Sequence, residues 1–224
     1  MTDSPPEYFP GRWADVSGAL SGPTALFWHG SQPSSRAAVR VLAQALDERG
    51  LSVVAPDWDP HGPDGGRAEL LASVDFTRTR AAGGPLVLIG WSLGGVAAAG
   101  LALRAAQFDV AVAHVVCLGG AFMARDPISG GAVLDGVTVG PARAPMHLFT
   151  GTADDVIPAY AATEFATALR ALHWPVDTVE VRADHGSIAG ARYDAVHRRY
   201  EPADDPATRA VADDIADRIA AIVR

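Results

Sequence analysis

Lysine and asparagine do not occur in this chain of 224 residues, and all 18 of its positive side chains are arginine. Without lysine there is no Schiff-base catalysis and no P-loop phosphate contact, and without asparagine there is no Asn-X-Ser/Thr glycan acceptor. A single cysteine, Cys117, has no internal disulfide partner. No His-Glu-x-x-His run and no paired Cys/His spacing is present, so no metal is expected, and the sequence implies no other cofactor. The most apolar stretch, residues 96–103, stops at Arg104. It falls well short of the roughly 20 residues that cross a bilayer. The opening Met-Thr-Asp-Ser-Pro-Pro-Glu has neither the basic leader nor the apolar core of a signal peptide, and the expected compartment is the cytoplasm.

Against 18 arginines stand 26 acidic residues, giving a net charge of −8, scattered rather than in blocks. That balance argues against a nucleic-acid groove or an anionic membrane surface as partner; the expected partner is a small-molecule ester or thioester substrate, and the expected state a monomer or homodimer. Apolar residues make up 49% and charged residues 20%, enough to bury a full core. Length and composition together predict one domain over residues 1–224.

Short Val-, Ile- and Leu-rich runs alternate with stretches of helical period, the pattern of β-α units around a mostly parallel sheet. Strands are expected at 24–28, 52–55, 85–89, 114–118, 146–150 and 176–181, each read as nearly continuous in apolar side chains because both faces are covered. Helices are expected over 35–49, 69–80, 94–107 and from Pro158 to about Leu172. A last helix opens at Asp205-Pro206 and carries Val211, Ile215, Ile219 and Ile222 on one stripe. Residues 1–23, rich in Pro and Gly, read as an irregular segment with at most a rudimentary strand. Residues 119–144, with six Gly and two Pro, read as a short lid-like loop too small for a cap domain.

The strand at 85–89 runs into Gly90-Trp91-Ser92-Leu93-Gly94-Gly95, and a helix of small residues follows at once. This is G-x-S-x-G between a strand and a helix, where a sharp turn pushes the serine out at the sheet's carboxyl edge and flanking glycines avoid clashes. The helix turns its positive end toward the same point, where an oxyanion would form.

From these residues onward the chain resembles the α/β-hydrolase family, over roughly residue 24 to the C-terminus. The resemblance implies a mostly parallel central sheet of about six to eight strands flanked by helices, without a separate cap domain. It also implies an acid after a later strand and a histidine after the last. Gly151-Thr-Ala-Asp154-Asp155-Val-Ile-Pro158 is similar to the family's acid loop, and Asp184-His185-Gly186-Ser187 to its histidine turn. A neutral serine hydroxyl is a weak nucleophile, so Ser92 needs a base, and His185 has the suitable basicity. Asp154, favoured by the resemblance over its neighbour Asp155, would orient the imidazole.

Phe27-Trp-His29-Gly30-Ser31 is similar to the family's His-Gly loop beside the oxyanion hole. The amide of Leu93 and that of Ser31, with Gln32 as the alternative, would be its donors, and His29 would brace the loop. Asp57 and His61, in the turn after the second expected strand, read as turn stabilisers. Trp91, Phe122 and Met123 are candidates for an apolar acyl pocket.

The activity implied is that of a serine hydrolase cleaving carboxylic esters through an acyl-enzyme, similar to the small carboxylesterase and dienelactone-hydrolase branches. An acyl-thioesterase of a biosynthetic pathway uses the same residues and is the alternative enzyme. An inactive binding protein on the same fold is the alternative from another class.

Overall fold

The computed structural model describes residues 4–19, 22–81, 84–137 and 143–224. Six strands form where apolar runs are found: β3 (Thr24–Trp28), β4 (Ser52–Pro56), β5 (Leu86–Trp91), β6 (Val112–Leu118), β7 (Met146–Gly151) and β8 (Val176–Val181). All six run parallel, in the order β4-β3-β5-β6-β7-β8. The α-helices among the described residues are α1 (Arg40–Glu48, entered through a 3-10 turn), α2 (Arg67–Arg80), α3 (Leu93–Leu103), α4 (Tyr160–Ala171) and α5 (Pro206–Ile222). This is an α/β-hydrolase fold with no separate cap among the described residues.

Two cores result, one on each face of the sheet. Leu70 and Val74 of α2, Phe165 and Leu169 of α4, and nearly all of α3 pack on one face. Leu42 and Leu46 of α1 meet Ile215 and Ile219 of α5 on the other. Helix α3 buries every residue after Leu93, which explains why its sequence is almost wholly small and apolar. Asp205 caps α5 by accepting the Thr208 amide at 2.8 Å, with Pro206 at the first helical position. None of the described helices is long and apolar enough to cross a membrane.

Three departures from the sequence reading are instructive. Residues 7–17 of the expected irregular segment form strands: β1 (Glu7–Phe9) and β2 (Arg12–Ser17) pair with each other, and β2 adds antiparallel to β4, extending the sheet to eight strands. Strand β8 is an edge, so of Val176-Asp-Thr-Val-Glu-Val only Val181 is buried, while Asp177, Thr178 and Glu180 are exposed, instead of the strand running apolar throughout. Between the histidine turn and α5 lies a hairpin of β9 (Ala191–Asp194) and β10 (Arg199–Pro202), whose four-residue, charge-bearing strands give too short a period to read.

Within the lid-like loop, Arg104 at the end of α3 holds the described part down. Its guanidinium is 6% exposed, donates to the carbonyls of Gly100, Val133 and Asp135, and pairs with the fully buried Asp126 at 3.3 Å. Burial pushes the Asp126 carboxyl up, against the lowering effect of bonds from Ser129 and Ile128 and the Arg104 charge. The rest of that expected loop, residues 138–142, lies outside the described residues, as do residues 1–3 and 20–21 of the expected N-terminal segment.

Candidate active site

Ser92 sits between β5 and α3 with φ 55° and ψ −119°, a conformation a non-glycine residue holds at a cost of about 1–3 kcal/mol. The neighbouring backbone imposes it. The Ser92 amide donates to Leu118 O at 2.9 Å, and its carbonyl accepts from Gly95 and Ala121. The two motif glycines make room: a Cβ on Gly90 would lie 2.1 Å from Gly94 O, and one on Gly94 would lie 2.4 Å from both Trp28 O and His29 O. The serine is 9% exposed.

Asp154 and His185, on the loops after β7 and β8, meet directly. His185 Nδ1 lies 2.9 Å from Asp154 Oδ2, with both side chains nearly buried at 5% and 3% exposure. Since the carboxylate only accepts, Nδ1 carries the proton and Nε2 is left with the lone pair. Asp154 Oδ1 accepts the amides of Val156 and Ile157, at 2.9 and 2.8 Å. Burial alone would raise the Asp154 carboxyl, but the bonds from His185 and these amides outweigh it and hold the group below the usual carboxylate range. Asp155, its rival in the sequence, is exposed and lines a neighbouring cleft.

Gly119 joins this pair to the serine. It follows Leu118, whose carbonyl receives the Ser92 amide. A Cβ on it would stand 3.1 Å from Asp154 Oδ2 and 3.3 Å from His185 Nδ1. The carboxyl ends of β5, β6, β7 and β8 thus bring all three residues to one rim of the sheet.

The loop after β3 completes that rim. A methyl on Gly30 would lie 3.6 Å from Ser92 Oγ, so the peptide leading to Ser31 borders the nucleophile. Leu93 opens α3, and its amide belongs to the first turn, where amides lack a partner within the helix. His29 is fully buried and braces this loop: its Nε2 accepts the amides of Ser35 and Trp58, both at 3.2 Å, so Nδ1 carries the proton toward Gly30 O at 2.9 Å. Its ring stacks on Trp58. Burial pushes its pKa down to about 3, the bond to Gly30 notwithstanding, so it stays neutral. Asp57 anchors the loop's far end by accepting the Arg36 amide at 3.1 Å and pairing with the Arg36 guanidinium, while His61 lies exposed.

The pocket candidates are dispersed. Trp91 is not a pocket wall: it is 2% exposed, its Nε1 donates to His185 O at 2.7 Å, and its ring lies beneath the histidine, 5.4 Å away. Phe122 and Met123 border a cleft of about 240 Å³ with Val133, Leu134 and Tyr160, and Phe122 stacks on Phe165 at 4.0 Å. A second cleft, of about 550 Å³, touches His185 itself and is lined by Asp155, Val156, Tyr193 and Tyr200. Neither tyrosine stands out in the sequence, because the hairpin that carries them is not legible there. Cys117, the one thiol, is buried in β6 with Sγ on Gly95 O at 3.3 Å, and burial pushes its pKa up. Among the described residues no group of three or more His, Cys, Asp or Glu could hold a metal ion.

A model of the alpha/beta hydrolase family matches residues 19–223. No curated protein matches. Among solved structures, a dienelactone hydrolase from Anabaena variabilis superposes with a TM-score of 0.63 at 21% identity, covering 95% of this chain and 93% of that one. Est1E from Butyrivibrio proteoclasticus, with ferulic acid bound, has a TM-score of 0.61 at 16% identity over 93% and 96% of the two chains. A thermophilic esterase from Thermogutta terrifontis, with propionate bound, has a TM-score of 0.67 at 18% identity over 93% and 88%. At these identities the likeness is one of fold.

Proposed function

The chain belongs to the alpha/beta hydrolase family, and from that premise we propose that it is a serine hydrolase cleaving carboxylic esters through an acyl-enzyme on Ser92. The observation that carries this reading is the 2.9 Å contact of His185 Nδ1 with Asp154, at the rim where Ser92 is held in a strained turn.

The chemistry follows from the groups present. As Ser92 Oγ approaches the ester carbonyl, Nε2 of His185 takes its proton, and Asp154 stabilises the resulting imidazolium while keeping the ring oriented. Negative charge on the carbonyl oxygen is received by the amides of Leu93 and Ser31, each such donor contributing about 3 kcal/mol to the transition state in a dry site. Ser31 is preferred to Gln32 because its amide follows directly on Gly30, whose Cβ position lies 3.6 Å from Ser92 Oγ. The imidazolium then protonates the leaving alkoxide. Water, deprotonated by the same nitrogen, attacks the acyl carbon and frees the serine.

A cysteine-based lactone opening has no support, since Cys117 is buried within a strand. The esterases and the dienelactone hydrolase with a similar fold are consistent with a small ester substrate. The test is reaction of the purified protein with a fluorophosphonate, followed by peptide mapping and by turnover of aryl esters of graded chain length beside acyl-CoA. Labelling at Ser92 with ester turnover is expected. A folded protein that does not label overturns the reading, and strong preference for acyl-CoA replaces esterase by thioesterase.

A further inference from the structure

We propose that the β9–β10 hairpin is a clasp between the oxyanion loop and the histidine turn, and that Gln32 is the positioning residue that closes it. The proposal rests on the triad reading above and adds a residue that touches none of the reacting atoms.

The side chain of Gln32 makes two bonds to one residue 168 positions away: its Oε1 accepts the Tyr200 amide at 2.7 Å, and its Nε2 donates to the Tyr200 carbonyl at 3.1 Å. An amide that meets both backbone groups of one residue acts as an extra rung on strand β10. The same Nε2 contacts Ser35 Oγ, which tethers the Gln32 head to its own loop.

From this point the contacts lead to the histidine. The Tyr200 ring meets Trp91 edge-on at 4.9 Å and 90°, and lies 5.9 Å from the His185 ring. Trp91 in turn holds the His185 carbonyl. At the hairpin's other end, Ala191 donates its amide to Gly186 O at 3.0 Å, next to His185. The loop of Ser31 is therefore held from the buried side by His29 and from the outer side by Gln32. The Gln32 bonds end on the same residue that packs against the histidine. Loss of this closure frees the Ser31 peptide and the imidazole to drift relative to each other, and a misplacement near 1 Å lowers turnover by about 100-fold.

Gln32→Leu keeps the approximate shape and removes both bonds. Active sites are titrated with a fluorophosphonate, so that kcat is expressed per reactive serine whatever fraction is folded. The expected result is a kcat per titrated site lower by about 10- to 100-fold, with KM changed less than about threefold. The phosphonate labelling rate should fall in parallel. In the wild-type protein, hydrogen exchange at the Tyr200 amide should be slow, as the clasp requires. A variant that merely loses titratable sites while keeping its kcat per site overturns the positioning role, and so does a Tyr200 amide that exchanges at the unprotected rate. Failure of the wild-type protein to label at Ser92 overturns both readings, whereas wild-type labelling with an undiminished Gln32→Leu rate overturns the clasp alone.

Discussion

Gly119 offers a perturbation whose effect can be worked from geometry. It holds φ +52°, where an L side chain costs about 1–2 kcal/mol. Its amide is bonded to Phe149 O at 2.9 Å, so the backbone cannot retreat. In Gly119→Ala the new methyl would stand 3.1 Å from Asp154 Oδ2 and 3.3 Å from His185 Nδ1, inside the 3.4 Å at which ordinary contact begins. The carboxylate and imidazole must each yield by a few tenths of an ångström. Backbone strain alone predicts a fall in Tm of about 2–8 °C for a chain this size. Displacement of the imidazole predicts a further loss of about tenfold in kcat. Gly130→Ala separates the two effects, since Gly130 has φ +76° with nothing within 4 Å of its Cβ position. It should reproduce the Tm loss and leave kcat within about twofold. Thermal melts and ester turnover on the two variants are the measurement. Equal kcat in both would refute the claim that Gly119 shapes the His–Asp pair.

Asp154→Ala should lower kcat by about 10⁴-fold, because the imidazole loses both its orientation and its counter-charge, whereas Asp155→Ala stays within about tenfold. The reverse order in a steady-state assay would assign the acid to the neighbour. His29, held neutral with a pKa of about 3 against an ordinary 6.5, makes folding sensitive to acid. The unfolded chain takes up the extra proton first, so this contribution is complete above about pH 6.5 and is lost as pH falls toward the folded value. Between pH 7 and pH 5 the stability gap between wild type and His29→Gln, measured by urea unfolding, should narrow by about 2 kcal/mol; a constant gap would contradict a buried neutral imidazole. Arg104→Leu strands the buried Asp126 carboxylate and should cost about 3–5 kcal/mol, with Asp126→Asn added to it restoring part. Faster proteolysis within residues 119–137 would accompany the single change, and unchanged stability would show that the ion pair does not hold the loop.

Much of this molecule follows from local pattern. Five of the six parallel strands are legible because strands covered on both faces must be apolar, and Ser92 is legible because only glycines at positions 90 and 94 allow its turn. Asp154 and His185 become candidates only through the resemblance of their loops to the family's acid loop and histidine turn, which also singles out Asp154 from Asp155. The antiparallel β1, β2, β9 and β10 are not legible, because edge and hairpin strands of three to six residues carry exposed charges and too few repeats for a period to emerge. Local pattern by itself therefore determined the parallel part of the sheet and the nucleophile-elbow candidate Ser92. Only tertiary structure decided that Trp91 supports the histidine instead of facing a ligand, that Gly119 borders the Asp–His pair, and that Gln32 binds a residue 168 positions away. Each of those outcomes depends on which segments the sheet order brings side by side, and no repeat or spacing along the chain encodes that neighbourhood.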